Sequence, residues 1–270
     1  MRVACLQLCS GDNPAVNLDT VSRLLQEAAA QGVQLALLPE NFAFMGGDLE
    51  RKRHFAGEEV PGIVLPFLAE AAARHRLYLV GGSLLRVGTA DKLRNSSPVF
   101  GPDGRLLASY DKIHLFDIEL PSERHRESEL IEPGAGPVWL DLPGWRLGLS
   151  ICYDLRFPEL YRHYAAAGCQ LLSIPSAFTV PTGQAHWEVL LRARAIENQA
   201  YVLAPAQGGE HPGGRSTYGH SLIVDPWGEV LARGSAQADG GELLVAEIDG
   251  DRLQQVRERL PALLHRRLPS

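Results

Sequence analysis

Short, wholly apolar runs alternate with stretches of helical period along most of this chain. Residues 2–9 read as a strand. Residues 17–31 place Val21, Leu24, Leu25 and Ala28 on one face, the spacing of an amphipathic helix, and Gly32 ends it. Residues 33–38 are apolar enough for a strand buried on both faces and stop at Pro39-Glu40. Residues 41–60 read as a loop, 65–75 as a second helix and 77–85 as a second buried strand. A Pro-Asp-Gly turn at 102–104 folds residues 99–108 into a hairpin, which leads into Tyr110-Asp111-Lys112-Ile113-His114-Leu115. The charged stretch 116–137 reads as a loop. Strands are expected over 146–151, 170–174, 200–206 and 243–248, with helices over 159–167, 187–199 and 251–260 and a further hairpin over 222–232.

The pattern repeats weakly. Residues 32–39 resemble residues 168–175, and the hairpin at 99–108 resembles the one at 223–232, in the same order. Two similar halves, each a helix-strand series closed by a hairpin, predict an α/β protein with two sheets stacked face to face and helices outside. No linker divides the chain, so residues 1–270 are expected to form one domain with an internal pseudo-two-fold repeat.

Composition narrows the function classes. The chain has 270 residues, 45% of them hydrophobic and 21% charged, and a formal net charge of -6. That balance excludes a general nucleic-acid binder, because phosphate binding needs a basic face. It leaves room for a small anion held by local arginines. No apolar run is long enough to span a membrane, and the first residues lack a signal peptide's apolar core. Cys5, Cys9, Cys152 and Cys169 form no CxxC pair and no zinc-ligand spacing with histidine, which points to free thiols in a reducing cytosol. No dinucleotide or phosphate-cradling glycine loop appears.

Three polar residues follow buried runs: Glu40, Lys112 and Cys152. At the ends of strands that meet at one edge, they bring an acid, an ammonium and a thiol into one crevice. Those are the parts of a nucleophilic acyl-transfer site. A free thiol titrates at about 8.5 and needs a base or a positive charge to attack. A carboxylate in a poorly hydrated pocket can serve as that base, and an ammonium stabilises an oxyanion as it forms. An exposed Glu-Lys pair and a core cysteine are the competing readings. Glu127 lies in the charged loop as a possible second carboxylate. Arg156, four residues past Cys152, suits a substrate carboxylate, or else a structural pair with Asp154 or Glu159. His114 and His186 are weaker candidates for the base. Ser150 sits in a near-match to the serine-hydrolase elbow, but Cys152 occupies the place of its second glycine.

Three blocks carry a resemblance. Pro39-Glu40-Asn41-Phe42, Tyr110-Asp111-Lys112-Ile113-His114-Leu115-Phe116-Asp117 and Cys152-Tyr153-Asp154-Leu155-Arg156-Phe157-Pro158-Glu159 resemble the signatures of the nitrilase, or carbon-nitrogen hydrolase, superfamily, in order and at the expected separations. Blocks at 175–178, 185–198 and 218–228 look most like the deaminated-glutathione amidases, with the omega-amidases close behind. The resemblance implies a four-layer αββα sandwich that assembles as a homodimer or larger. It also implies a Glu40-Lys112-Cys152 triad supported by Glu127, and no metal or organic cofactor. In that mechanism Cys152 attacks a small, carboxylate-bearing amide to give a thioester. Lys112 and the Tyr153 backbone N–H hold the oxyanion, and Arg156 holds the substrate carboxylate. A nitrile or N-carbamoyl amino acid hydrolase with the same triad is the alternative enzyme, and an idle scaffold the alternative of another class.

Overall fold

A computed structural model describes residues 1–89, 91–120 and 123–268. The first sheet begins with β1 (Arg2–Gln7), α1 (Pro14–Ala30) and β2 (Leu35–Leu37). From α2 (Leu49–His54) a π-helical stretch, Phe55–Val64, runs straight into α3 (Leu65–His75). There follow β3 (Tyr78–Val80), β4 (Leu84–Val87), β5 (Leu93–Phe100) and β6 (Leu106–Asp111). A small hairpin of β7 (Asp117–Leu120) and β8 (Glu123–Arg126) and the single turn α4 (Glu127–Leu130) lead to β9 (Val138–Leu142) and β10 (Trp145–Leu149). The second sheet continues through a 3-10 turn (Cys152–Arg156), α5 (Pro158–Ala166), β11 (Leu171–Ser173), α6 (Val180–Asn198) and β12 (Tyr201–Ala204). An outlying hairpin, β13 (Gly208–His211) and β14 (Arg215–Tyr218), precedes β15 (Leu222–Val224) and β16 (Val230–Arg233). β17 (Glu242–Glu247) returns to the first sheet and α7 (Gly250–Arg259) follows it.

The two sheets repeat one topology. Their orders are β17-β1-β2-β3-β5-β4, with β6 on β5, and β16-β15-β12-β11-β10-β9. In each, three strands run parallel (β1, β2, β3 and β10, β11, β12), and the third is flanked by an antiparallel hairpin, β5–β6 or β15–β16. The repeated sequence pieces are the middle strand of each triple and that hairpin. Alternate residues of β1 and β2 divide between two cores, as the two-residue period of a strand requires. Val3, Cys5, Leu35 and Leu37 cluster with Leu147, Leu149 and Leu171 of the second sheet. Ala4, Leu6 and Ala36 cluster with Val21, Leu24, Leu25 and Ala28 of α1 and Leu68 and Ala72 of α3. Both faces are covered, which is why these strands read as unbroken apolar runs.

Three expectations need correction. Residues 41–60 are helical from Leu49 onward; Gly57, Pro61 and Gly62 erase the helical signal, yet Phe55, Ala56, Val60 and Val64 still turn inward. Residues 77–85 are two strands, because Gly81-Gly82 breaks the run. Gly82 has φ +53°, and a Cβ there would lie 2.0 Å from the Pro39 carbonyl oxygen, so only glycine lets the chain pass over Pro39-Glu40. The described part of 116–137 contains the β7–β8 hairpin and α4 rather than loop alone.

Gly148 marks a close approach between β10 and α5. A Cβ on it would meet the Tyr164 ring of α5 at 2.7 Å, and the Tyr164 hydroxyl donates to the Leu149 carbonyl. Gly148→Ala is therefore expected to lower stability by about 1–3 kcal/mol through overpacking, read as a lower urea midpoint with an unchanged slope.

Candidate active site

Each of the three expected triad residues follows a strand. Glu40 follows β2, and its main chain is pinned. Ser83 N donates to the Pro39 carbonyl (3.2 Å), Gln207 Nε2 donates to the Glu40 carbonyl (3.0 Å), and Asn41 takes a left-handed φ of +55°. Lys112 follows β6, with its N–H on the Asn95 carbonyl (2.9 Å) and its carbonyl accepting from Gly134 N (2.8 Å). Cys152 follows β10. Its N–H reaches the Pro175 carbonyl (2.9 Å), so parallel pairing with the β11 segment continues up to the cysteine. Its φ is +48°, uncommon for any residue but glycine, and such a strained position persists only where its surroundings hold it. Asp154, fully buried, does the holding. It accepts from Ile151 N (2.9 Å), Tyr110 OH (2.7 Å) and His114 N (3.0 Å), and lies 2.7 Å from His114 Nδ1. One carboxylate thus ties the cysteine turn to the segment that carries Lys112.

The charged groups lie close together and away from water. Lys112, 2% exposed, places Nζ 3.2 Å from Glu40 Oε1 and 3.0 and 2.8 Å from the two Glu127 oxygens. Asn95 Nδ2 donates to Glu40 Oε1 (3.0 Å) and Glu127 Oε1 (3.4 Å), and Phe116 N donates to Glu127 Oε2 (2.6 Å). Burial alone would pull the Lys112 ammonium down; Glu127, Glu40 and the cysteine outweigh it and hold the group above the ordinary lysine value. The Cys152 thiol faces the Glu40 carboxylate and the Ala177 backbone amide. Burial first, and the Glu40 charge second, push it well above the ordinary thiol value, against the smaller pull of Lys112. The thiol of the resting protein is therefore protonated, with a carboxylate beside it.

A cavity of about 530 Å³ opens onto these groups, within the range of small-molecule sites (~300–1,000 Å³). Glu40, Lys112, Glu127, Cys152, Tyr153 and Arg156 all line it. Arg156 pairs with neither Asp154 nor Glu159. Its Nη1 lies 3.2 Å from His186 Nδ1, and its guanidinium stands 5.7 Å from the Tyr153 ring and 5.3 Å from the Phe178 ring. His114 is bound to Asp154 and stacked on Phe157, and Ser150 is buried with its hydroxyl on the Ser173 carbonyl (2.8 Å), so neither faces the thiol as base or nucleophile. Sequence reasoning missed Asn95, Gln207 and the Ala177 amide. A polar residue inside a strand and a backbone N–H leave no spacing to read. Lys52, Arg126 and Arg215 also line the cavity and were likewise not singled out.

The carbon-nitrogen hydrolase family model matches residues 2–258. The deaminated glutathione amidase of Synechocystis sp. is 44% identical over 97% of this chain and 97% of its own length. The human omega-amidase is 40% identical over 98% of this chain and 95% of its own. Among solved structures, the C. elegans NitFhit protein superposes with a TM-score of 0.92 at 40% identity; the match covers 98% of this chain and 65% of that longer one. With its strand-end thiol, ammonium and carboxylates and the paired α/β sheets that carry them, the chain belongs to the carbon-nitrogen hydrolase family, enzymes that hydrolyse carbon-nitrogen bonds.

Proposed function

We propose that the chain, acting as one domain over residues 1–270, hydrolyses a small omega-amide or a deaminated-glutathione-like amide through a Cys152 thioester. The observation that carries this reading is the Lys112 ammonium lying within 3.2 Å of Glu40 beside a buried thiol on the same cavity. Glu40 takes the thiol proton as sulfur bonds to the amide carbon. Lys112 and the Tyr153 N–H hold the oxyanion. The tetrahedral adduct collapses, the C–N bond breaks, and Glu40 returns the proton to the departing amine. Glu40 then takes a proton from water, the oxygen attacks the thioester, and the carbon-sulfur bond breaks to release the acid and restore the thiol. Glu127 balances Lys112 and positions the substrate nitrogen, and Arg156 receives a substrate carboxylate. Assembly as a homodimer or larger and a cytosolic location belong to the same proposal. Val189, Ile196 and Trp227 are exposed apolar side chains that a second copy would cover, and no helix among the described residues is long and apolar enough to cross a membrane.

The test offers one carbon skeleton as an omega-amide, a nitrile and an N-carbamoyl amino acid. Ammonia is expected from the amide at a rate at least about a hundred-fold above the other two. Mass spectrometry of quenched protein is expected to find the acyl group on the Cys152 peptide. Faster turnover of the nitrile or carbamoyl compound would replace this reading.

A further inference from the structure

Asn95 touches every charged member of the site. It is 2% exposed inside β5, opposite Leu85 of β4 on one side, and its carbonyl accepts from Lys112 N at 2.9 Å on the other. Its side chain is only half paired. Nδ2 donates to Glu40 Oε1 at 3.0 Å and to Glu127 Oε1 at 3.4 Å, whereas Oδ1 has no hydrogen-bond partner. Turning the amide over would not relieve this, because ionised carboxylates only accept and the nitrogen must face them. A buried acceptor without a donor is destabilising, and leucine would fill nearly the same volume without one. Packing therefore does not explain an asparagine here; its N–H groups do.

The oxygen they reach shows what they do. Lys112 Nζ also approaches Glu40 at Oε1, at 3.2 Å. Both donors thus hold one oxygen, and among the described residues no nitrogen donates to Oε2, while the thiol faces the same carboxylate. Lys112 cannot set the direction alone. An ammonium is a compact point charge, and this one lies nearer the two Glu127 oxygens, at 3.0 and 2.8 Å, than Glu40. The last torsion of a glutamate is broad, so a single bond to Oε1 leaves the carboxyl plane free to turn. A planar amide on a strand paired on both sides supplies the second fixed point.

We infer that Asn95 is a positioning residue for the proton transfer: with Lys112 it holds Glu40 Oε1, so that Oε2 alone accepts the Cys152 proton and later returns it. This rests on the amidase reading and extends it from which residue is the base to which of its oxygens works. Once the proton is on Oε2, Oε1 is the carbonyl oxygen of a neutral acid and still accepts from the same two donors. The site keeps one arrangement through both halves of turnover, as a preorganised polar site should.

Alkylation of Cys152 by iodoacetamide at pH 7 reads the proton transfer without an amide substrate, since the thiol gives up its proton as sulfur displaces iodide. The rate is followed in the full-length protein by mass spectrometry of the Cys152 peptide. Asn95→Leu is expected to slow it by about ten- to a hundred-fold, the scale of a misaligned reacting group. A site that was merely loosened would change in the opposite sense, because the sulfur-bearing residue is 8% exposed and access would rise. With an omega-amide, kcat is expected to fall by a similar factor while KM stays within about two-fold. The urea midpoint should not fall, since leucine removes the unpaired acceptor. Asn95→Ala, which removes the same donor without filling the space, is expected to show the same slowing and covers the case in which leucine crowds the strand. Alkylation as fast as in the parent or faster in the folded variants, or a loss confined to KM, overturns the inference. Failure of the wild-type protein to release ammonia from the amide would instead strike the amidase reading, and the alkylation rates would still decide the role of Asn95.

Discussion

Cys152→Ala is expected to abolish ammonia release from an omega-amide and to leave the fold intact. The expected fall is about 10⁴-fold or more, since loss of a nucleophile leaves only what binding and the oxyanion donors contribute. Stability should change by no more than about 1 kcal/mol, because alanine removes a single sulfur from a turn whose geometry is set elsewhere. Asp154, Tyr110 and the Cys152 N–H to Pro175 carbonyl bond remain in place in the variant. The pH profile of the parent enzyme carries a second expectation with a definite sign. The thiol's folded value lies above the ordinary 9.0, because burial and the Glu40 charge both disfavour the thiolate. Neutral thiol therefore dominates through pH 9, and kcat/KM should show no rise there from a pre-formed thiolate. Deprotonation accompanies attack, with Glu40 as acceptor. Undiminished turnover by the alanine variant, or activity climbing through pH 8–9 in proportion to thiolate, would sink this account.

Lys112→Met is expected to cost both activity and stability. Methionine fills much of the same space but leaves the buried Glu40 and the part-buried Glu127 with no cation between them. Breaking a buried ion pair by removing one partner typically costs about 3–5 kcal/mol. The expected result is a urea midpoint lowered by that amount and no detectable turnover. Adding Glu127→Gln removes one of the two stranded charges, so the double variant should regain part of the stability while remaining inactive. A double variant as unstable as the single one would show that Glu127 and Lys112 are not energetically coupled, despite their 2.8 Å contact. That combination separates the structural work of the ammonium from its catalytic work.

What the sequence discloses about this protein follows from where the chemistry sits on the chain. Glu40 and Cys152 each end a run buried on both faces, so the change from apolar to polar is abrupt and falls at the functional residue. Lys112 follows β6, where Ser109 and Asp111 already interrupt the apolar run begun by Leu106, Leu107 and Ala108, so the contrast there is weaker. The likeness of β2 to β11 and of the two hairpins to each other was legible because short buried strands draw on few residue types and their order is preserved. Asn95 was hidden because it lies inside β5 among Arg94, Ser96 and Ser97, where one more polar residue signals nothing until its two carboxylate partners arrive from 55 and 32 residues away. Gln207 reaches Glu40 only at its main-chain carbonyl, and Ala177 offers a backbone amide, so neither contact shows in a reading of side-chain types. Residues 49–60 do not read as helix because Gly57, and Pro61 and Gly62 just beyond, argue locally against one; continuity with α3 and packing of Phe55 and Val60 in the core prevail over that preference.

β1 pairs on one side with β2 and on the other with β17, from Arg2 opposite Glu247 to Gln7 opposite Glu242, and the Met1 ammonium donates to the Ile248 carbonyl at 2.8 Å. The two partners of one strand are therefore made at very different times. At translation speeds of about 5–20 residues per second, β17 reaches the first sheet on the order of tens of seconds after β1 has emerged. Through that interval β1 has a free edge, able to template pairing with other extended chain. Of the described strands, β1 is made before all the others yet is among the last to be closed, and the ribosome's pace sets how long its edge stays open.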